Sequence, residues 1–381
     1  MKRHNYRFYV YKHISTVIFI AATGILALSS WRGIERGWMM KQQEKETRNF
    51  VKQLGPGLNW GNTLDTHDLH FETKSPSDFE TYWGNPVTTR EMIKDIKQAG
   101  FDVLRIPVTW QEHMDENDHI EKAWLNRVAQ VVDYGLEAGM YVIINAHHDS
   151  WYMPDDVHLP TAVEKTRHLW SQLAQRFQAY DQRLLFEGMN EPRLIGKIEE
   201  WSGGTPRSRE IVNILNAVFV RTIRESGGEN NDRYLILSTY CAKTYREVLQ
   251  DFQFPEGSRL ILSVHFYSPY DFSLNIQGPP GFDTKDPLDT KEMDQMFEDL
   301  DRFFISKGMP VIITEFGAVD KQNERQRTAW ARYVRGKAKK LGIACIWWDA
   351  GSGEKTGRPF PLYDRYTRQW LFPDLTEALT E

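Results

Sequence analysis

Residues 88–108 read Thr88-Thr89-Arg90-Glu91-Met92-Ile93-Lys94-Asp95-Ile96-Lys97-Gln98-Ala99-Gly100-Phe101-Asp102-Val103-Leu104-Arg105-Ile106-Pro107-Val108. Thr88 to Glu91 has the form of a capping box, in which the Thr88 hydroxyl and the Glu91 carboxylate satisfy free amides of a first helical turn. Met92, Ile93, Ile96 and Ala99 then fall on one apolar stripe at helical spacing, and Gly100 ends the helix. Val103 to Val108 is a short β-rich run. A helix that leads straight into such a run is one unit of an alternating α/β chain.

The cadence recurs on both sides of this stretch. The β-rich runs are Gly57–Asp65, Val103–Val108, Tyr141–His148, Leu184–Pro192, Tyr234–Tyr240, Leu260–Pro269, Val311–Ala318 and Cys345–Gly351. Between them, Trp124, Leu125, Val128, Val131, Val132 and Leu136 form a helical stripe closed by Gly139. Ile211, Ile214, Leu215, Val218, Phe219 and Ile223 form another before Gly227-Gly228, and Leu341-Gly342 closes a helix before the last run. Strands alternating with helices indicate parallel pairing, and eight such units indicate a closed (β/α)8 TIM barrel, here one catalytic domain over residues 50–381. The alternative is an open doubly wound sheet, but no GxGxxG or GxxxxGK[ST] follows the first strand.

Composition narrows the class. Hydrophobic residues make up 41% of the 381 and charged residues 26%, which excludes a disordered chain, a collagen and a multi-span membrane protein. With 47 Lys and Arg against 52 Asp and Glu, the net charge of -5 gives no bulk attraction for nucleic acid. Aromatics reach 13%, with 13 Trp, more than a core usually needs. Indole faces stack on flat apolar ligand faces, including sugar rings, which points to a carbohydrate cleft. Cys241 and Cys345 read as two buried free thiols, and without CxxC or Cys/His zinc spacing no structural zinc is expected. The chain reads as a monomer.

The amino terminus has its own character. Lys2, Arg3, Arg7 and Lys12 precede an apolar stretch from Ile14 to Leu28. As a helix it would span about 22 Å, short of the roughly 30 Å hydrocarbon core. Residues 1–30 therefore read as a signal peptide, with Ala27-Leu28-Ser29 offering small residues to a signal peptidase, or as an uncleaved N-terminal membrane anchor extended by Trp31 and Arg32. Under either reading the positive-inside rule puts the rest of the chain outside the cytoplasm, extracellular or at the cell surface. Residues 31–49 read as a charged tether and lead-in helix.

In a barrel the reacting groups come from the carboxyl ends of several strands. Those ends here are Asn59-Trp60-Gly61-Asn62-Thr63, Arg105-Ile106-Pro107, His147-His148-Asp149, Asn190-Glu191-Pro192, Tyr240, His265-Phe266-Tyr267, Glu315-Phe316-Gly317 and Trp347-Trp348-Asp349. Two glutamates facing one mouth, with unlike neighbours, are what retaining glycoside hydrolysis requires. One stays protonated to supply the leaving oxygen, and the other stays ionised to attack the anomeric carbon. An arginine near the second would lower its pKa, and a tyrosine hydroxyl would orient it. Taken singly, each glutamate also fits a surface charge or a helix-cap neighbour, Arg105 a buried structural pair, and His147 and His148 core histidines or metal ligands.

These motifs resemble glycoside hydrolase family 5, the cellulase family of clan A. Asn190-Glu191-Pro192 and Glu315-Phe316-Gly317 carry the resemblance. Gly61-Asn62-Thr63-Leu64-Asp65, Trp83-Gly84-Asn85-Pro86, Arg105-Ile106-Pro107-Val108 and Trp347-Trp348-Asp349 extend it over roughly residues 50–375. The resemblance implies Glu191 as acid/base and Glu315 as nucleophile, with Arg105 and Tyr267 holding the nucleophile. It implies that Asn190 binds the sugar 2-hydroxyl, that His147 and His265 line the same subsite, and that Trp348, in preference to Trp347, stacks beneath the sugar. Asn59 is grouped with these substrate-binding residues. The resemblance further implies a cis peptide at Trp348-Asp349 and no cofactor. The expected activity is endo-β-1,4-glucanase action on cellulose or a related β-glucan; xyloglucanase, lichenase and β-mannanase are alternatives, as is a non-catalytic carbohydrate-binding barrel. Glu191 is expected to have the higher pKa of the pair, raised by the Glu315 charge. Trp60, Trp83, Trp110, Trp151, Trp201 and Trp348 lie at or beyond strand ends, and at least two are expected to stack on sugars.

Overall fold

The computed structural model describes residues 42–69, 75–351 and 360–381. The proposed signal or anchor and most of the tether lie outside these residues. Among the described residues no helix is long and apolar enough to cross a membrane. The strands are β1 (Gly57–Trp60), β2 (Val103–Ile106), β3 (Tyr141–Asn145), β4 (Leu184–Glu187), β5 (Leu235–Ser238), β6 (Leu260–Phe266), β7 (Val311–Phe316) and β8 (Ala344–Asp349). They pair in parallel in sequence order, and β8 closes on β1, with Leu58 opposite Trp347 and Trp60 opposite Asp349. The barrel expected from the cadence is present. Each strand stops before the end of its β-rich run, because the run's last residues leave the ladder and turn over the mouth.

The surrounding helices are α1 (42–53), α2 (Pro76–Thr81), α3 (Arg90–Gln98), α4 (Lys122–Glu137), α5 (Leu159–Arg176), α6 (Pro206–Glu225), α7 (Arg246–Asp251), α8 (Tyr270–Ser273), α9 (Pro287–Phe303), α10 (Glu324–Leu341) and α11 (Pro373–Thr380). The cap of α3 differs from expectation by one residue. Thr89 is the N-cap and accepts from Met92 N. The Thr88 hydroxyl is instead taken by Trp60 Nε1 at 2.8 Å, and Thr88 N donates to Glu80 at 2.7 Å.

The lead-in helix belongs to the barrel. α1 runs past residue 49, and Phe50 stacks on Tyr234 with ring centroids 3.7 Å apart, at the amino-terminal end of β5. Val51 and Leu54 join Val103, Ile143, Leu185, Ile236, Ile261, Ile312 and Ile346 in one buried cluster. These isoleucines, valine and leucine point into the barrel, so α1 closes its floor. The larger core lies between the strands and the helices, and holds Trp60, Trp110, Trp151 and Trp347. Three of the six tryptophans expected near sugars, Trp60, Trp110 and Trp151, are thus buried in this core. Cys241 and Cys345 are buried and free.

Candidate active site

Side chains alternate along a strand, so residues two apart share a face. Two positions beyond the apolar floor residues of β2, β3, β4, β6 and β7 stand Arg105, Asn145, Glu187, Ser263 and Thr314. This polar layer lies above the apolar one and is fully buried. Its centre is Arg105. Nε donates to Glu187 Oε2 at 2.7 Å, Nη1 to Asn59 Oδ1 at 2.7 Å and to Glu315 Oε1 at 2.8 Å, and Nη2 to Asn190 Oδ1 at 2.7 Å. Five donors in a rigid fork suit a guanidinium to this task, whereas an ammonium on the same stem has three.

Glu315 reaches this layer through a break in the ladder. Between β6 and β7 the register shifts after Val264, so that His265 lies opposite Glu315, and β7 shifts again against β8 between Ile313 and Phe316. A bulge of this kind re-aims a side chain. Glu315 Oε2 accepts from the Tyr267 hydroxyl at 3.0 Å. Glu191 arrives from the loop after β4, anchored by Asn190 N donating to Ala146 O at 2.9 Å and Ser238 Oγ donating to Asn190 O at 2.6 Å. His265 Nδ1 stands 2.8 Å from Glu191 Oε1 and 3.4 Å from Glu315 Oε2. An oxygen of each glutamate and a ring nitrogen of His265 lie within 4.8 Å of one another. Asp65, His147 and His148, and separately His67, Asp68 and Glu112, cluster as closely, so three groups are within reach of a cation among the described residues.

The remaining expected residues divide. Asn190 commits its Oδ1 to Arg105, which leaves its amide nitrogen toward the mouth. His147 Nδ1 lies 3.1 Å from Asn145 Nδ2, an obligate donor, so the ring proton sits on Nε2. The His147 ring lies parallel to Trp348, with centroids 5.8 Å apart and planes at 6°. Trp348 is partly exposed while Trp347 is fully buried, so only Trp348 has a face to offer. Gly61 lies against that ring, and a Cβ there would stand 2.7 Å from Trp348 Cζ2. Asn59 does not reach the mouth. It is fully buried, and its Nδ2 donates to the carbonyls of Thr314, Ile346 and Trp347, so it supports Arg105 instead. Among the described residues the cis peptide is Ser268–Pro269, which leaves Trp348–Asp349 trans, contrary to expectation. There the chain continues as regular strand, with Gly61 N donating to Asp349 O at 3.0 Å.

The electrostatics also differ from expectation. Burial works against the Glu191 charge, but the bond from His265 and the charges of His265, Arg193 and Lys243 outweigh it and hold this carboxyl down at about 2. Glu315 is raised, by burial first and by the Glu191 charge, against the pull of His265 and Arg105. The order is the reverse of that expected, because His265, Arg193 and Lys243 favour the Glu191 charge, while burial and the Glu191 charge prevail at Glu315. Burial opposes the Arg105 charge, but Glu187 and Glu315 together raise its pKa. Burial and the charges of His148 and Arg105 keep His147 neutral. Glu187 is the residue that sequence reasoning passed over. Its signal was present: a charge two positions after Leu185 in an otherwise apolar run.

Comparison with known proteins identifies the family. The cellulase model, glycosyl hydrolase family 5, matches residues 66–354. Endoglucanase A of Clostridium longisporum is 41% identical over 339 residues, covering 88% of this chain, and this chain spans 65% of that relative. A broad-specificity endoglucanase from Ruminococcus champanellensis with bound cellotriose superposes with a TM-score of 0.84 at 37% identity, over 88% of this chain and 98% of the other. A lichenase from Caldicellulosiruptor sp. F32 in complex with cellotetraose gives 0.84 at 38% identity, over 88% and 94%. With two glutamates converging at the mouth of an eight-stranded barrel and a match across most of its length, the chain belongs to the cellulase family, glycosyl hydrolase family 5, and is a glycosidase.

Proposed function

We propose that this glycosidase is an endo-β-1,4-glucanase that cleaves cellulose or a related β-glucan with retention, by double displacement. The observation that carries the reading is the closeness of Glu191 and Glu315, which have oxygens within 4.8 Å. Retaining pairs lie about 5–5.5 Å apart, whereas inverting pairs stand about 6.5–9.5 Å apart to admit a water. Glu315 attacks the anomeric carbon and forms a glycosyl-enzyme; Glu191 protonates the leaving oxygen and then takes a proton from the incoming water.

Each neighbour has a part. Arg105 and Tyr267 fix both oxygens of Glu315, Asn190 Nδ2 meets the sugar 2-hydroxyl, His147 presents Nε2–H to the same ring, and Trp348 stacks beneath it. The mechanism needs the proton on Glu191 when sugar is bound. Positive charge developing at the anomeric carbon favours ionised Glu315, and negative charge developing on the leaving oxygen favours protonated Glu191. His265 Nδ1, between the two carboxylates, is placed to pass that proton. The relatives crystallised with cellotriose and cellotetraose support a β-glucan substrate. Residues 1–30 would export the enzyme to where such polymers lie, and the chain would act as a monomer.

Assay on carboxymethyl cellulose, mixed-linkage glucan, xyloglucan, mannan and xylan, with proton NMR of the first product, tests the reading. A β-anomer released from internal cuts in β-glucans is expected. A newly formed α-anomer overturns the mechanism, and activity confined to mannan or xylan overturns the substrate.

A further inference from the structure

Arg105 is fully buried and faces two carboxylates at nearly equal range, Glu187 at 2.7 Å and Glu315 at 2.8 Å. Only Glu315 faces the reacting bond. Glu187 is fully buried, and its other partners are neutral: Asn145 Nδ2 donates to Oε2 and Ser263 Oγ to Oε1, each at 3.1 Å. A buried carboxylate away from the reacting bond is costly to keep, and an apolar or amide side chain would fill the position more cheaply. Among the described residues Arg105 is its one ionic partner.

We propose that Glu187 is a positioning residue for the reaction: by taking a share of the Arg105 guanidinium it limits how tightly Glu315 is held. The inference rests on Glu315 being the nucleophile. A carboxylate that owns a whole counter-ion is firmly ionised but gives up its electron pair reluctantly. One that shares the counter-ion stays ionised and attacks more readily. Glu187 also sets the charge balance. The groups facing one another here are Arg105, His147, His148, Glu187, Glu191, Arg193, Glu200, Lys243, His265, Tyr267 and Glu315. Arg105 pairs with Glu187 and Glu315, Arg193 pairs with Glu191 and Glu200, and Lys243 adds its charge at Glu191. Four carboxylates against these three cations favour retention of one proton, the proton that the acid step consumes. With Glu187 neutral, three would face three, and that demand would fall.

The test is the pH profile of kcat/KM on cellotetraose, whose leaving sugar needs the proton from Glu191, for Glu187→Gln. The replacement is isosteric and keeps an acceptor toward Arg105. Both limbs of the bell are expected to move to lower pH, by about half a unit to one unit, because the freed guanidinium favours ionised Glu315 and the balanced charge favours ionised Glu191. The plateau is expected to fall about tenfold. Glu187→Asp, with the charge kept but withdrawn by a methylene, should move the limbs the same way by less. Limbs that stay in place while activity drops equally at every pH assign Glu187 to packing and overturn the inference, as does failure of both variants to fold. Turnover by Glu315→Gln would instead overturn the parent reading, whatever Glu187→Gln does.

Discussion

His265 Nδ1 lies 2.8 Å from Glu191 Oε1, and this bond, with the His265 charge, does most to offset the burial of the Glu191 carboxylate. His265→Ala removes both, so the Glu191 pKa should rise toward or above the ordinary carboxylate range. Carbodiimide reacts with protonated carboxyls. Its labelling of Glu191, read by peptide mass, should therefore persist to higher pH in the variant than in the parent. An unchanged labelling profile would mean that Arg193 and Lys243 set the ionisation and the histidine does not.

Glu315→Gln should abolish turnover on every substrate, because an amide cannot form the glycosyl-enzyme. Glu191→Gln should keep the first step for an aryl glycoside whose leaving group needs no proton, and accumulate the intermediate. Added azide should then raise the rate and yield a β-glycosyl azide. No azide effect would remove Glu191 from the acid/base role.

Trp348→Ala should lower kcat/KM on a β-glucan about ten- to a hundredfold, the loss of one well-stacked aromatic face, with little change in melting temperature because the ring is partly exposed. Gly61→Ala should do similar damage from beneath, since its methyl would enter the space of the Trp348 ring. If Gly61→Ala keeps full activity, the ring does not need its present position.

Burial raises the Asp149 carboxyl from 3.8 to about 6, against backbone N–H groups of Trp110 and Gln111 that favour its charge. A folded pKa above the unfolded one gives stability that is full below about pH 4 and lost as pH rises through about 6. Asp149→Asn has no such dependence. Relative to the parent, the variant should therefore gain stability as pH rises from 4 to 7, by up to about 3 kcal/mol, in urea denaturation. A constant difference across that range would show that Asp149 ionises freely when folded.

The order of elements was legible in the chain because it is written locally. Periods of two and of 3.6, Gly100 and Gly139 at helix ends, and polar residues at run ends each depend on near neighbours, and eight repeats admit one closed arrangement. Glu191 and Glu315 were legible for the same reason, as charges placed where β-rich runs end. What the sequence could not settle depends on groups brought together from strands far apart. Whether Thr88 caps α3 was decided by Trp60, 28 residues earlier, which claims its hydroxyl. Whether Trp60, Trp110 and Trp151 meet sugar or core was decided by what packs around each ring once the strands close. Asn59 and Glu187 became parts of one charge network only when Arg105 was placed between them, and Arg105 lies 210 residues from Glu315 and 82 from Glu187. The ionisation of Glu191 and Glu315 follows from that network and from a ladder break that sets His265 opposite Glu315. Electrostatic energy falls with distance through space, and the chain's own numbering does not contain that distance.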